Sequence, residues 1–282
     1  MFPKPTRCVL AALSLLVAKQ GFAQWDAWYA ASKAPHEEVQ QIIVRDGVVE
    51  PVLVSRASPD QQPKYLLLLF PGHPGIMKLR EENGRIVFDL LGNFLLRARR
   101  HLVDAETATV SVDAPTDEYC CFEDRFRLGE RHATDIGKVI GTLKSRFPES
   151  RIYLVGTSNG TVSVASLAAR LPDKIDGAIL TASATVALGR APYLSGFDFG
   201  RIKVPALFVH HRDDGCVVCP YARVRDISGK HGFPLITVTG ATHPTGDPCQ
   251  AYSHHGFRGR EKETMAAILK WIKSREVTET IP

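Results

Sequence analysis

The stretch RIYLVGTSNGTVSVASLAARL, Arg151 to Leu171, decides how the rest of the chain is read. It opens on an apolar run of strand composition, turns at Gly156-Thr157-Ser158-Asn159-Gly160, and continues with apolar residues at helical spacing until Pro172 stops it. So short a connection from strand to helix brings the residues two before and two after Ser158 close together, where side chains would clash. Glycine at both positions removes the clash and leaves the hydroxyl projecting toward solvent. The amides that open the helix, that of Asn159 first, point near this oxygen and favour negative charge there. The placement between strand and helix separates this Gly-x-Ser-x-Gly from a chance match, and its spacing fits neither a dinucleotide fingerprint nor a Walker loop.

Working outward, the same alternation recurs. VVEPVLVSR (Val48–Arg56), KYLLLLFPG (Lys64–Gly72), TATVSVDAP (Thr107–Pro115), DGAILTAS (Asp176–Ser183), PALFVHH (Pro205–His211) and PLITVTG (Pro234–Gly240) read as strands. Gly92–Ala105, Arg131–Phe147 and Glu261–Arg275 have helical spacing, and Trp25–Val44 reads as a mixed segment wrapped over the surface. Apolar strands alternating with helices predict an α/β fold with a mainly parallel central sheet and helices on both faces. No Pro-, Gly- or Ser-rich linker divides the chain, and no internal repeat is present.

The first residues read as an address. Lys4 and Arg7 precede the short apolar core Cys8–Ala18, and Gly21-Phe22-Ala23 offers small residues before a cut. Residues 1–23 are therefore expected to be a secretory signal peptide, and residues 24–282 one catalytic domain, periplasmic or secreted and without a stable membrane span. Loss of Lys4, Arg7 and Lys19 takes the 35 basic residues to 32 against 30 acidic ones, and no basic stripe argues for nucleic acid. Cys120, Cys121, Cys216, Cys219 and Cys249 remain after the cut. Export permits disulfides, and Cys216–Cys249 is the first choice; the Cys216-x-x-Cys219 spacing has no second pair to complete a zinc site.

A serine nucleophile needs a base, and the base an orienting carboxylate. The acid is expected after PALFVHH, where Asp214 is preferred and Asp213 is the alternative. The base is expected between PLITVTG and the last helix: His255 stands first, before a glycine that would let its ring approach the serine, with His243 as the alternative and His254 also in range. His210 and His211 read as structural. In LFPGHPGIMK (Leu69–Lys78) the N–H of His73 is the candidate second oxyanion donor, since Pro74 has none.

GTSNG, FPGHPG, HHRDDGC and SHHGF in this order resemble the α/β-hydrolase fold superfamily, including exported bacterial hydrolases of dienelactone-hydrolase-like and esterase-like type. FPGHPG stands where His-Gly-Gly-Gly is common in esterases. The resemblance covers nearly all of the chain after the address. It implies Ser158 as nucleophile, Asp214 as acid, His255 as base and the amides of Asn159 and His73 as oxyanion donors, with no metal or organic cofactor. It implies a serine hydrolase acting on a small-molecule carboxylic ester. A peptidase or amidase with the same triad, and a catalytically silent binding protein of this fold, are the alternatives.

Overall fold

The computed structural model describes residue 27 and residues 29–282. The apolar Cys8–Ala18 segment and the expected cut after Ala23 lie outside the described residues. Eleven strands are described in chain order: β1 (His36–Arg45), β2 (Val48–Arg56), β3 (Tyr65–Phe70), β4 (Arg80–Glu82), β5 (Arg85–Val87), β6 (Thr107–Val112), β7 (Arg151–Thr157), β8 (Gly177–Thr181), β9 (Ala206–His211), β10 (Leu235–Val238) and β11 (Thr280–Ile281). Nine form one sheet in the order β1-β2-β6-β3-β7-β8-β9-β10-β11, and β4 and β5 make a separate hairpin. β1 and β2 join antiparallel; from β6 to β11 every neighbouring pair is parallel.

The α-helices that follow β1 are α1 (Phe94–Ala98), α2 (Asp124–Arg127), α3 (Glu130–Arg146), α4 (Gly160–Arg170), α5 (Tyr221–His231) and α6 (Glu261–Ser274). The continuous apolar run of β3 shows how the sheet is sandwiched. Leu66, Leu68 and Phe70 pack with α3 and α4 on one face, while Tyr65, Leu67 and Leu69 pack with α1 and α6 on the other. A strand that buries both faces has no reason to alternate with polar residues. Each such leucine removed from water contributes about 1.5–3 kcal/mol, before the entropy of ordering it is set against that gain.

Three sequence expectations are corrected. The second half of Trp25–Val44 is not surface wrapping but β1, paired along β2 from His36 opposite Arg56. As an edge strand it carries His, Glu and Gln at one end and exposes Ile43, with only Ile42 and Val44 fully buried, so it lacks the apolar signature of the inner strands. The expected Gly92–Ala105 helix is the short α1 followed by a 3₁₀ turn at Arg99–Leu102. α5 was not expected, because it presents few apolar residues and buries only Val224 and Ser228. Among the described residues no helix is long and apolar enough to cross a membrane.

Candidate active site

β7 stops at Thr157, and Ser158 turns the chain with φ +52° before α4 begins at Gly160. The left-handed region is costly for a residue with a side chain, by about 1–3 kcal/mol, and survives only where its surroundings impose it. They do so here. The N–H of Ser158 donates to Thr181 O at 3.0 Å, and its carbonyl accepts from Thr161 N at 3.0 Å and Thr161 Oγ1 at 2.6 Å. A Cβ on Gly156 would lie 2.6 Å from Gly160 O, and one on Gly160 would lie 2.1 Å from Phe70 O. Both glycines are therefore steric requirements of the turn.

The acid loop follows β9. Asp214 is buried, and its Oδ2 lies 2.8 Å from His255 Nδ1. Its Oδ1 accepts the Cys216 N–H at 2.9 Å. Oδ2 also faces His210 Nε2 at 3.4 Å, while that same nitrogen lies 2.8 Å from the carbonyl of Cys219. Burial alone would raise the pKa of Asp214, but hydrogen bonds from His210 and His255 outweigh it and bring the carboxyl down to about 2. An ionised carboxylate can only accept, so Nδ1 of His255 carries the proton and donates it, and Nε2 is left as an acceptor. His255 itself is buried in a 3₁₀ turn at His254–Gly256 whose entry is capped by Ser253. Gly256 is needed for a reason other than the expected one: a Cβ there would sit 1.8 Å from Ala251 O, so the glycine lets two backbone segments cross.

The alternatives lie elsewhere. Asp213 is exposed, and its N–H donates to His211 Nδ1 at 3.0 Å. His243 is exposed and does not line the cleft that contains Ser158, while the His254 ring lies tilted against that of His211 at 4.7 Å between ring centres.

That cleft has a volume of about 670 Å³ and is lined by Gly72, His73, Ser158, Asn159 and His255 together with apolar side chains such as Leu90, Phe94 and Val218. No Asp, Glu, Lys or Arg lines it. The loop after β3 reaches the serine directly, since a Cβ on Gly72 would lie 3.1 Å from Ser158 Cβ. Among the described residues the backbone N–H groups of His73 and Asn159 donate to no protein acceptor. The disulfide Cys216–Cys249 is formed, and it links the acid loop to the segment that leads into His255.

Three groups went unread in the sequence. Asp124, in α2, accepts from Asn159 Nδ2 at 2.8 Å and from Tyr193 N at 2.8 Å. Arg127, in the same turn, donates to Pro74 O at 3.0 Å and to Ser163 Oγ at 3.1 Å. α2 thus holds both segments that carry the unpaired amides. Asn93 caps α1 through Oδ1, and its Nδ2 faces Gly72 at the cleft wall. An Asn before an apolar run is a legible helix start; nothing local marks Asp124 or Arg127, whose partners are distant in sequence.

No family model matches the chain, and no curated protein matches it. Solved structures do. Est1E from Butyrivibrio proteoclasticus superposes with a TM-score of 0.57 at 18% identity, over 84% of this chain and 99% of that one. An alpha-beta serine hydrolase homologue from Coxiella burnetii gives a TM-score of 0.51 at 16% identity, over 84% and 97%. A Xanthomonas campestris α/β serine hydrolase without lid gives 0.53 at 15% identity, over 82% and 94%. At these identities the likeness is one of fold.

Proposed function

The chain has the α/β-hydrolase fold, and on that premise we propose that it is an exported serine hydrolase, a carboxylesterase, with Ser158 as nucleophile, His255 as base and Asp214 as acid. The observation that supports this reading is the 2.8 Å bond between His255 Nδ1 and the buried Asp214, with His255 lining the same cleft as a serine held in the left-handed region. Ser158 Oγ attacks the ester carbonyl carbon and passes its proton to His255 Nε2. Asp214 stabilises the imidazolium. The oxyanion is received by the amides of Asn159 and His73. His255 returns the proton to the departing alcohol, and water then releases the acyl group along the same route.

A cleft without charged side chains suits an uncharged acyl group of small or medium size, because a buried ion would find no partner there. The fold neighbours from Coxiella burnetii and Xanthomonas campestris, both described as serine hydrolases, favour the same chemistry. Export rests on the signal-peptide layout of residues 1–23, with Gln24 as the first residue after the cut. Ser158→Ala assayed against a panel of nitrophenyl esters tests the reading: turnover is expected to fall about a thousandfold or more. Wild-type turnover in that variant overturns it. Hydrolysis of aminoacyl amides with no action on esters would instead favour a peptidase or amidase.

A further inference from the structure

Hydrolysis leaves the buried thiol of Cys219, in the Cys216-x-x-Cys219 pair, without a role. The sulfurs of Cys216 and Cys219 and a ring nitrogen of His255 all lie within 4.8 Å of one another, and all three residues are buried. Two thiolates and an imidazole are the donor set of a tetrahedral zinc site that keeps one position open. A metal-bound histidine typically gives its second ring N–H to a carboxylate, which fixes the ring and raises its basicity. Asp214 already stands in that place, at 2.8 Å from Nδ1, so Nε2 is the nitrogen available to a cation. In the oxidised chain the set is masked, because Cys216 Sγ is bonded to Cys249. Cys219 is a free, buried thiol.

We infer that Cys216, Cys219 and His255 form a redox-gated site for a thiophilic divalent cation of the zinc class, which shuts the active site when the disulfide opens. A dithiol supplies two electrons and two protons: the Cys216–Cys249 bond breaks, each sulfur becomes a thiol, and the dithiol becomes a disulfide. The cation then binds Cys216 Sγ, Cys219 Sγ and His255 Nε2, and the two thiol protons leave to solvent. With Nε2 occupied, His255 cannot take the proton of Ser158. Cation binding stands on the geometry alone; inhibition rests on the proposed role of His255.

The test uses the chain from Gln24 with Cys120→Ser and Cys121→Ser, which remove the exposed thiols. Cobalt(II) is the probe, since thiolate-to-cobalt charge transfer reports coordination without reference to turnover. In this background the disulfide form is expected to show no charge-transfer band and ester hydrolysis indifferent to zinc. Adding Cys249→Ser, with a phosphine reductant, is expected to produce a band at one cobalt per chain that zinc displaces, with zinc inhibition reversed by a chelator. Adding Cys219→Ser as well is expected to abolish both. If Cys249→Ser does not fold, the phosphine-reduced parent carries the same comparison. A folded, reduced protein with no band, or a band that survives Cys219→Ser, overturns the inference. A band in a protein with no hydrolysis to inhibit leaves the cation site standing and counts against the esterase reading alone.

Discussion

Ser158 occupies a backbone region that glycine usually fills, and it is held there by Thr181, Thr161 and the bare Cα atoms of Gly156 and Gly160. Strain of this kind points to function when a partner is near, and the proposed base, His255, lines the same cleft. Asp214→Asn is expected to lower kcat about 10⁴-fold, because a neutral amide no longer selects the His255 tautomer with Nε2 free, while His243→Ala leaves kcat near wild type. The same carboxylate contributes to stability with a definite sign. Its folded pKa lies below its ordinary 3.8, at about 2, so the contribution is fully present above 3.8 and is lost as pH falls toward 2. Denaturant titrations of wild type and Asp214→Asn between pH 6 and 2 check this: the stability difference should narrow as the solution becomes acidic. The sequence singles out Ser158, Asp214 and His255 because each follows a strand end or precedes the last helix, and the fold places Ser158 and His255 in one cleft with Asp214 bonded to the far side of the imidazole. Asp213 and His243 stand second there, with the same side-chain chemistry, and in the fold both are exposed whereas Asp214 and His255 are buried.

A single turn, α2, organises the proposed oxyanion donors from behind. Asp124 grips the Asn159 side chain, and Arg127 grips the carbonyl of Pro74, next to His73. Asp124→Ala is expected to lower kcat up to about 100-fold with KM little changed, as befits a donor displaced by a fraction of an ångström, and Asp124→Glu to recover only part of it. Steady-state kinetics of the two variants check this; a change confined to KM would argue against a positioning role. No local pattern in CFEDRFRLG announces that role, since both contacts span 35 residues or more. The same limit explains the missed elements. β1 is a polar edge strand, and α5 buries too little to show a helical stripe, whereas the inner strands were readable because both their faces are covered.

Across the whole molecule, the sheet brings the loops after β3, β7 and β9 to one edge, and the disulfide ties the acid loop to the approach to His255. The bridge closes a sequence separation of 33 residues, worth about 3–4 kcal/mol if it acts through the unfolded chain. Reduction in the presence of a chelator is therefore expected to lower the melting temperature by roughly 10 °C, read by calorimetry with and without phosphine. An unchanged transition would mean that the bridge constrains little. Apolar strand runs and their spacing from the helices made this architecture legible in advance; the order of strands in the sheet arises from packing between distant segments, which no local pattern records.

The central claim is that the Ser158 oxygen is a nucleophile activated by His255. Its most direct test is covalent labelling of the folded protein with a fluorophosphonate, followed by intact mass and peptide mapping. The account predicts one adduct, on Ser158, absent in Ser158→Ala, strongly slowed in His255→Ala and unaffected by His243→Ala. No adduct on the folded wild type, or an adduct on another residue with hydrolysis intact in Ser158→Ala, would contradict it.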